Sequence, residues 1–197
     1  MSHRALRVLT IAVAVIGIAA GTARADDAYR VSGGEVVVKC PLTVGGSFEA
    51  RTKSIRGELV AGENRSGTTA GAVRVDLQTL ETGIGIRDRH MRDTYLEVNK
   101  APEFGVATIE QIRVGKLEGK TPFNATLVLH GQRKEVSGTA ELKPQGGRIR
   151  IEAQFPIQVS QFAIAKPTYL GVGVKDEIQV TVTMTVEPVD SQNEQHR

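Results

Sequence analysis

Apolar and polar residues alternate with a period of two along much of the chain. The pattern is cleanest over residues 148–159. There Ile149, Ile151, Ala153, Phe155, Ile157 and Val159 share one parity, and Arg150, Glu152, Gln154 and Gln158 hold the other. Over 177–187, Ile178, Val180, Val182, Met184 and Val186 alternate with Gln179, Thr181, Thr183 and Thr185. Period two with one wet face predicts antiparallel strands. Weaker versions run through Phe123, Ala125, Leu127 and Leu129, through Val73, Val75 and Leu77, and through Val36, Val38, Cys40 and Leu42. A strand marked by Phe48 and Leu59 is predicted to bulge near Ser54. The apolar parity changes near Glu110, which predicts a second bulge between Phe104 and Val114.

Turn signals separate these runs: Gly45-Gly46, Gly62-Glu63-Asn64, Gly115, Gly131-Gln132 and Gln145-Gly146-Gly147. About eight strands joined by short turns, each with one apolar face, predict an all-β protein built as a sandwich or closed antiparallel barrel. Two segments depart from the pattern. Residues 86–96 read as a short helix near a barrel end. Met91 and Tyr95 supply its apolar stripe, and the pairs Asp88/Arg92 and Arg89/Asp93 are spaced to meet on its surface. Residues 162–173 carry Pro167, Gly171 and Gly173, which forbid a regular central strand, yet also Phe162, Ile164, Tyr169 and Leu170. Such a segment must bury its apolar surface, and it is expected beside the helix, closing one barrel end.

Composition adds a leader. Arg4 and Arg7 precede an apolar run from Val8 to Ala20, and Ala23-Arg24-Ala25 offers a cleavage site. These are the three regions of a signal peptide over residues 1–25. Three of the 25 basic residues lie there and none of the 22 acidic ones, so the remainder is electrically balanced. A neutral chain lacks the footprint of a nucleic-acid binder. Residues 26–188 suit one domain, and the polar tail 189–197 is predicted to be disordered. Export to the periplasm or beyond follows. Cys40 is the lone cysteine, so it has no disulfide partner within the chain, and it reads as a small buried apolar residue.

Chemistry motifs are sparse. There is no nucleophile elbow, P-loop, dinucleotide fingerprint or metal-ligand spacing. His90 and His130, with Asp88 or Asp176, are the residues an enzyme would have to use, although nothing in their spacing fixes a geometry. The charge run 87–93 reads as a solvated helix face locked by its own pairs. Arg51, Lys53 and Arg56 read as a solvated edge.

Three blocks carry a family resemblance. They are Thr82-Gly83 with Arg87-Asp88, His90-Met91, Tyr95-Leu96, Pro102 and Phe104; then Leu129-His130-Gly131 with Lys134 and Val136; then the continuous stretch 162–177. Their order and spacing resemble the YceI-like family. That resemblance implies a lipocalin-like barrel that binds a polyisoprenoid or isoprenoid quinone, with no established chemical reaction; with the alternation it gives an eight-stranded barrel, and with the missing motifs it leaves no catalytic residues, metal or cofactor expected. The chain departs from the family pattern at Lys39-Cys40, where relatives often carry His. It departs again at Ile84 and Ile86, where relatives are often polar.

The apolar positions expected against the lipid are Val73, Val75, Met91, Tyr95, Phe104, Phe123, Leu127, Leu129, Ile149, Ile151, Phe155, Phe162, Ile164, Tyr169, Leu170, Ile178, Val180 and Val182. Alternation is the same for an empty and a filled barrel. Val, Ile and Ala on the inner faces, and no Trp, tilt the reading toward an open interior. The leading expectation is therefore periplasmic lipid binding or transport, with transient membrane contact and no nucleic-acid partner; a homodimer is compatible with it. The alternatives are a filled barrel that serves as an interaction module, and a metal-dependent enzyme using His90 and His130. N-terminal sequencing of exported protein should begin at Asp26. Recovery of Met1 in a membrane fraction would overturn both the export reading and the charge balance.

Overall fold

The structure is a computed structural model and describes residues 28–61, 69–169 and 171–189. The leader 1–25, the expected turn at Gly62-Glu63-Asn64 and the tail beyond Val189 lie outside the described residues. Strands β1 (Ala28–Pro41), β2 (Ser47–Thr52), β3 (Ile55–Ala61), β4 (Thr69–Asp76), β5 (Val106–Val114), β6 (Gly119–Leu129), β7 (Gln132–Gln145) and β8 (Arg148–Gln158) follow one another around an antiparallel sheet. A ribbon of β9 (Thr168–Tyr169) and β10 (Val172–Gly173) intervenes before β11 (Glu177–Pro188). β11 pairs with β8 on one side and β1 on the other, with Val36 opposite Val182 and Val38 opposite Val180. The sheet thus closes into an eight-stranded barrel, the form the alternation and turns predict.

Both expected irregularities are present. β2 and β3 are one long strand broken at Lys53-Ser54, where Thr52 Oγ1 accepts from the Ser54 amide at 3.0 Å. Both halves pair with β1, but only β3 pairs with β4. The outer edge of β2 is taken instead by Glu81, whose backbone exchanges hydrogen bonds with Arg51 at 2.7 and 2.9 Å. The second irregularity is a bulge where β5 skips from Glu110 to Arg113 against β6, with Gln111 at φ 52°.

The two barrel ends differ. One has tight connections such as Gly146-Gly147, with both glycines at positive φ. The other carries the long excursions 77–105 and 159–176 together with the Gly45-Gly46 turn. The β6–β7 hairpin at this second end puts His130 at φ 50° and Gly131 at φ 72°, the left-handed pair that a two-residue hairpin requires.

The helix is found where expected, but its form differs. α1 spans Gly85–Arg89 and then widens into a π-helical turn, His90–Tyr95, in which the Leu96 amide donates to Met91 O. Among the described residues neither expected pair, Asp88/Arg92 nor Arg89/Asp93, forms an ion pair. Asp88 is buried and accepts from Thr82, while Arg92 donates to Leu80 O. Widening shifts the register on which four-residue spacing relies, so the expected locking pairs do not form, although Arg89, His90 and Asp93 are exposed as a solvated face requires.

Inside the barrel, Phe123 and Phe155 meet edge to face with centroids 5.8 Å apart. They meet over Gly138 of β7. A Cβ there would lie 2.7 Å from Phe155 Cβ, 2.8 Å from Phe123 Cε1 and 2.2 Å from Gln154 O. The missing side chain is what lets two large rings share one short stretch of wall. Gly138→Ala should lower unfolding free energy in urea by ~1–3 kcal/mol, the cost of overpacking. Gly33→Ala, with nothing within 4 Å of the new atom, should leave it within ~0.5 kcal/mol.

Candidate functional site

The barrel encloses a cavity of about 1010 Å³. The interior is therefore not filled by its own side chains, as the interaction-module alternative required. Its wall is almost wholly apolar and draws on every strand of the barrel, β1 through β8 and β11. Among the wall's polar residues, Arg87, His90, Thr94 and Thr168 belong to the segments that cross the loop-rich end. Ile86, His90 and Thr94 line the cavity and are also exposed, so its opening lies beside the helical cap.

Of the residues expected at a lipid, Val73, Val75, Met91, Tyr95, Phe123, Leu127, Leu129, Ile151, Phe155, Ile164, Ile178, Val180 and Val182 line this cavity. Phe104, Ile149 and Phe162 lie off the wall. Phe104 stacks on His130, with ring centroids 4.0 Å apart. Ile149 sits next to the tight hairpin at the far end of β8, and Phe162 is buried in the turn after β8. Leu170 and the side chain of Tyr169 lie outside the described residues.

The wall also contains residues that the sequence reading left out. Val36, Val38 and Cys40 of β1 share one parity, and Ala140 and Leu142 supply the β7 wall. On β5, Ala107 and Ile109 face inward, and after the bulge Ile112 and Val114 do so. The alternation of β1 was visible but was not connected to the wall. β7 is polar over its first half, which hides its two inward residues.

Cap and barrel are tied together by polar contacts. Asp88 Oδ1 accepts from the Thr82 amide and hydroxyl, each at 2.6 Å. Burial alone would raise the Asp88 pKa; the two Thr82 hydrogen bonds, with Arg92 and Arg87 nearby, hold it below the usual carboxylate range instead. His130 Nδ1 lies 3.1 Å from Phe162 O, and its Nε2 lies 3.2 Å from Glu97 Oε2. That buried ring joins the β6–β7 hairpin to both long excursions. The Lys100 ammonium, donating to Glu97 Oε1 at 2.8 Å, holds the Glu97 carboxyl below its ordinary range, and His130 adds to the effect. Asp176 is likewise held low by the Ser160 hydroxyl and amide.

The residues an enzyme would have needed are engaged separately. His90 lines the cavity, His130 bonds to Phe162 O and Glu97, and Asp88 and Asp176 are bonded to Thr82 and Ser160. Among the described residues no group of three or more His, Cys, Asp or Glu is placed to hold a metal ion. Cys40 is buried in the wall. Burial pushes its thiol up to about 11, against a smaller lowering by Arg87, so it remains protonated and apolar in character.

A closed antiparallel barrel around one apolar space, capped at a single end, defines a lipocalin-like barrel. The chain belongs to the YceI-like domain family, whose model matches residues 30–186. Among solved structures, it resembles Burkholderia cenocepacia BcnA at 13% identity and a TM-score of 0.64, over 77% of this chain and 95% of that one. It also resembles a polyisoprenoid binding domain from Saccharophagus degradans implicated in plant cell wall breakdown. That match has 16% identity and a TM-score of 0.61, over 82% of this chain and 98% of the other. A YceI protein from Campylobacter jejuni matches at 19% identity and a TM-score of 0.53, over 71% and 84% of the two chains. At these identities the likeness shows the fold. No curated protein matches the chain.

Asp88 gives the cap a pH dependence of definite sign. A folded-state pKa below the unfolded one contributes stability in full above ~4, and that contribution is lost as pH falls through the lower, folded value. Asp88→Ala should remove it at neutral pH and cost ~1–3 kcal/mol, because two donors on Thr82 lose their acceptor. Denaturant titrations at pH 7 and below pH 3 should find the gap between wild type and variant narrowing in acid. A gap that does not change with pH would rule out the ionised carboxylate as its source.

Proposed function

We propose that the protein binds a long apolar lipid of the isoprenoid class, a polyisoprenoid or isoprenoid quinone, inside the barrel and exchanges it with membranes after export. The apolar cavity of about 1010 Å³ carries this reading. It is at the upper end of the ~300–1,000 Å³ common for ligand sites. The Saccharophagus degradans domain, described as polyisoprenoid binding, lends support from a related barrel.

The energetics suit a carrier. Each CH₂ taken from water contributes ~0.8 kcal/mol. A long isoprenoid, however, is drawn from a bilayer in which its tail is already dry. Barrel and bilayer then differ little in the tail term, and fit at the mouth decides occupancy. Exchange needs contact with the membrane surface, and the cap end suits it. Val44, Ile84 and Ile86 are 67%, 49% and 63% exposed there, although large and apolar.

Purified protein extracted with organic solvent should yield an isoprenoid by mass spectrometry. Ile151→Trp, in the cavity wall, should reduce that yield while the barrel stays folded, since free space absorbs the added volume. Val44→Asp with Ile84→Asp, both exposed and off the cavity wall, should slow transfer of labelled lipid to vesicles without emptying the barrel. A sharp fall in melting temperature for Ile151→Trp, with no lipid found in the wild type, would sink the proposal.

A further inference from the structure

The chamber does not end at one height around the barrel. On the β8–β11 side it stops at Ile151 and Met184, short of Ile149 and Val186. On the β4–β5 side it continues to Thr69, Val114 and Leu117. Thr69 lies one residue beyond Ala70, which stands opposite Val60, itself opposite Ala28. Thr69 therefore belongs to the rim at the pole opposite the cap. Leu117 belongs to the β5–β6 turn at the same pole.

The wall opens there for a local reason. The β4–β5 ladder ends with Ala72 opposite Glu110. The next residue of each strand leaves the ordinary extended form, with Gly71 at φ 96° and Gln111 at φ 52°. Both strands turn at one level, and Thr69 to Gly71 run on paired with β3 alone. Across the gap the Thr69 hydroxyl donates to Ile112 O at 3.3 Å, long for such a contact. Ile112, Val114 and Leu117 line the chamber and are partly exposed, whereas Phe123, opposite Val114, is buried. Apolar side chains that meet the lumen and water at once mark an opening between them.

A closed chamber and a through-passage differ in what they can hold. The volume of about 1010 Å³ allows roughly 67 Å³ for each carbon of farnesol (C15) but roughly 13 Å³ for each carbon of a C80 polyprenol, against ~30 Å³ for one molecule of liquid water. The longer tail cannot lie wholly inside. The unpaired stretch offers it an apolar way out.

We infer that the gap between β4 and β5 is a second portal, through which the far end of an isoprenoid tail longer than the chamber leaves the barrel. This rests on the lipid-binding reading above and assigns the protein long polyisoprenoids without a sharp upper limit on chain length.

The test is a competition between chain lengths. Full-length protein, first stripped of lipid, is incubated with phosphatidylcholine vesicles carrying equal amounts of labelled farnesol and labelled C80 polyprenol. The two lipids on the recovered protein are then compared. Wild type should load both. Leu117→Trp fills the gap from the turn, and Ile112→Trp fills it from β5. Each should lower the ratio of polyprenol to farnesol ~5- to 100-fold, the cost of overpacking expressed as an equilibrium ratio. Thr69→Phe, on the facing strand, replaces either variant that does not fold. Wild type that loads farnesol and excludes the polyprenol would overturn the portal and leave the lipid cavity standing. A ratio unchanged in the folded variants would also overturn it, because the tail would then leave by the mouth. If neither lipid is loaded, the lipid-binding reading itself fails.

Discussion

Pairing of β1 with β11 is the constraint on which everything else depends. Without it the sheet has two long open edges, each a row of unpaired backbone groups. With it, every inward side chain faces another across a shared lumen, and the apolar parity of each strand becomes one wall. Closure fixes the size of that lumen through strand number and tilt. Side chains then decide how much of it is filled. Val, Ile and Ala dominate here, the two large rings are gathered over Gly138, and a chamber of about 1010 Å³ is left open.

An open apolar chamber needs a cover whose own backbone is satisfied. The excursion after β4 supplies it in two steps. Glu81 first occupies the edge that β2 exposes where the strand breaks at Lys53-Ser54. Asp88 then folds the chain back on Thr82 and starts the helical cap. His130 ties this cover to the second excursion through Glu97 and Phe162 O. The cover is held by a few polar links at its margins, while its inner face meets the cavity through Met91, Tyr95 and Leu96. Such an element is better suited to opening than a strand in a continuous ladder.

The barrel was legible in the sequence because a one-sided strand writes its orientation into every second residue. β8 and β11 are wet on one face throughout, and their inward residues were read correctly as far as Ile149. That residue keeps the parity but lies beyond the end of the chamber, which periodicity cannot report. β5 was harder, since its bulge moves the inward set from Ala107 and Ile109 to Ile112 and Val114. The cap was least legible. Four-residue spacing predicted ion pairs that a π-helical turn does not allow, and a charge run taken for solvated surface contains buried Asp88 and a cavity-lining Arg87. Phe104 and Phe162 were apolar and nearby, but one is committed to His130 and the other to the turn after β8. Periodicity identifies faces; it does not identify which loop residue reaches the chamber.

Both ends of the described chain meet at the pole opposite the cap. Tyr29 pairs with Pro188, and the Val189 amide donates to Ala28 O at 2.9 Å. A group attached directly at Ala28 or Val189 is therefore carried at the pole opposite the cap. A surface tether, an affinity handle or a fused domain placed there would orient every molecule the same way, mouth outward. Those two positions are the natural place to immobilise the barrel without obstructing the cap end.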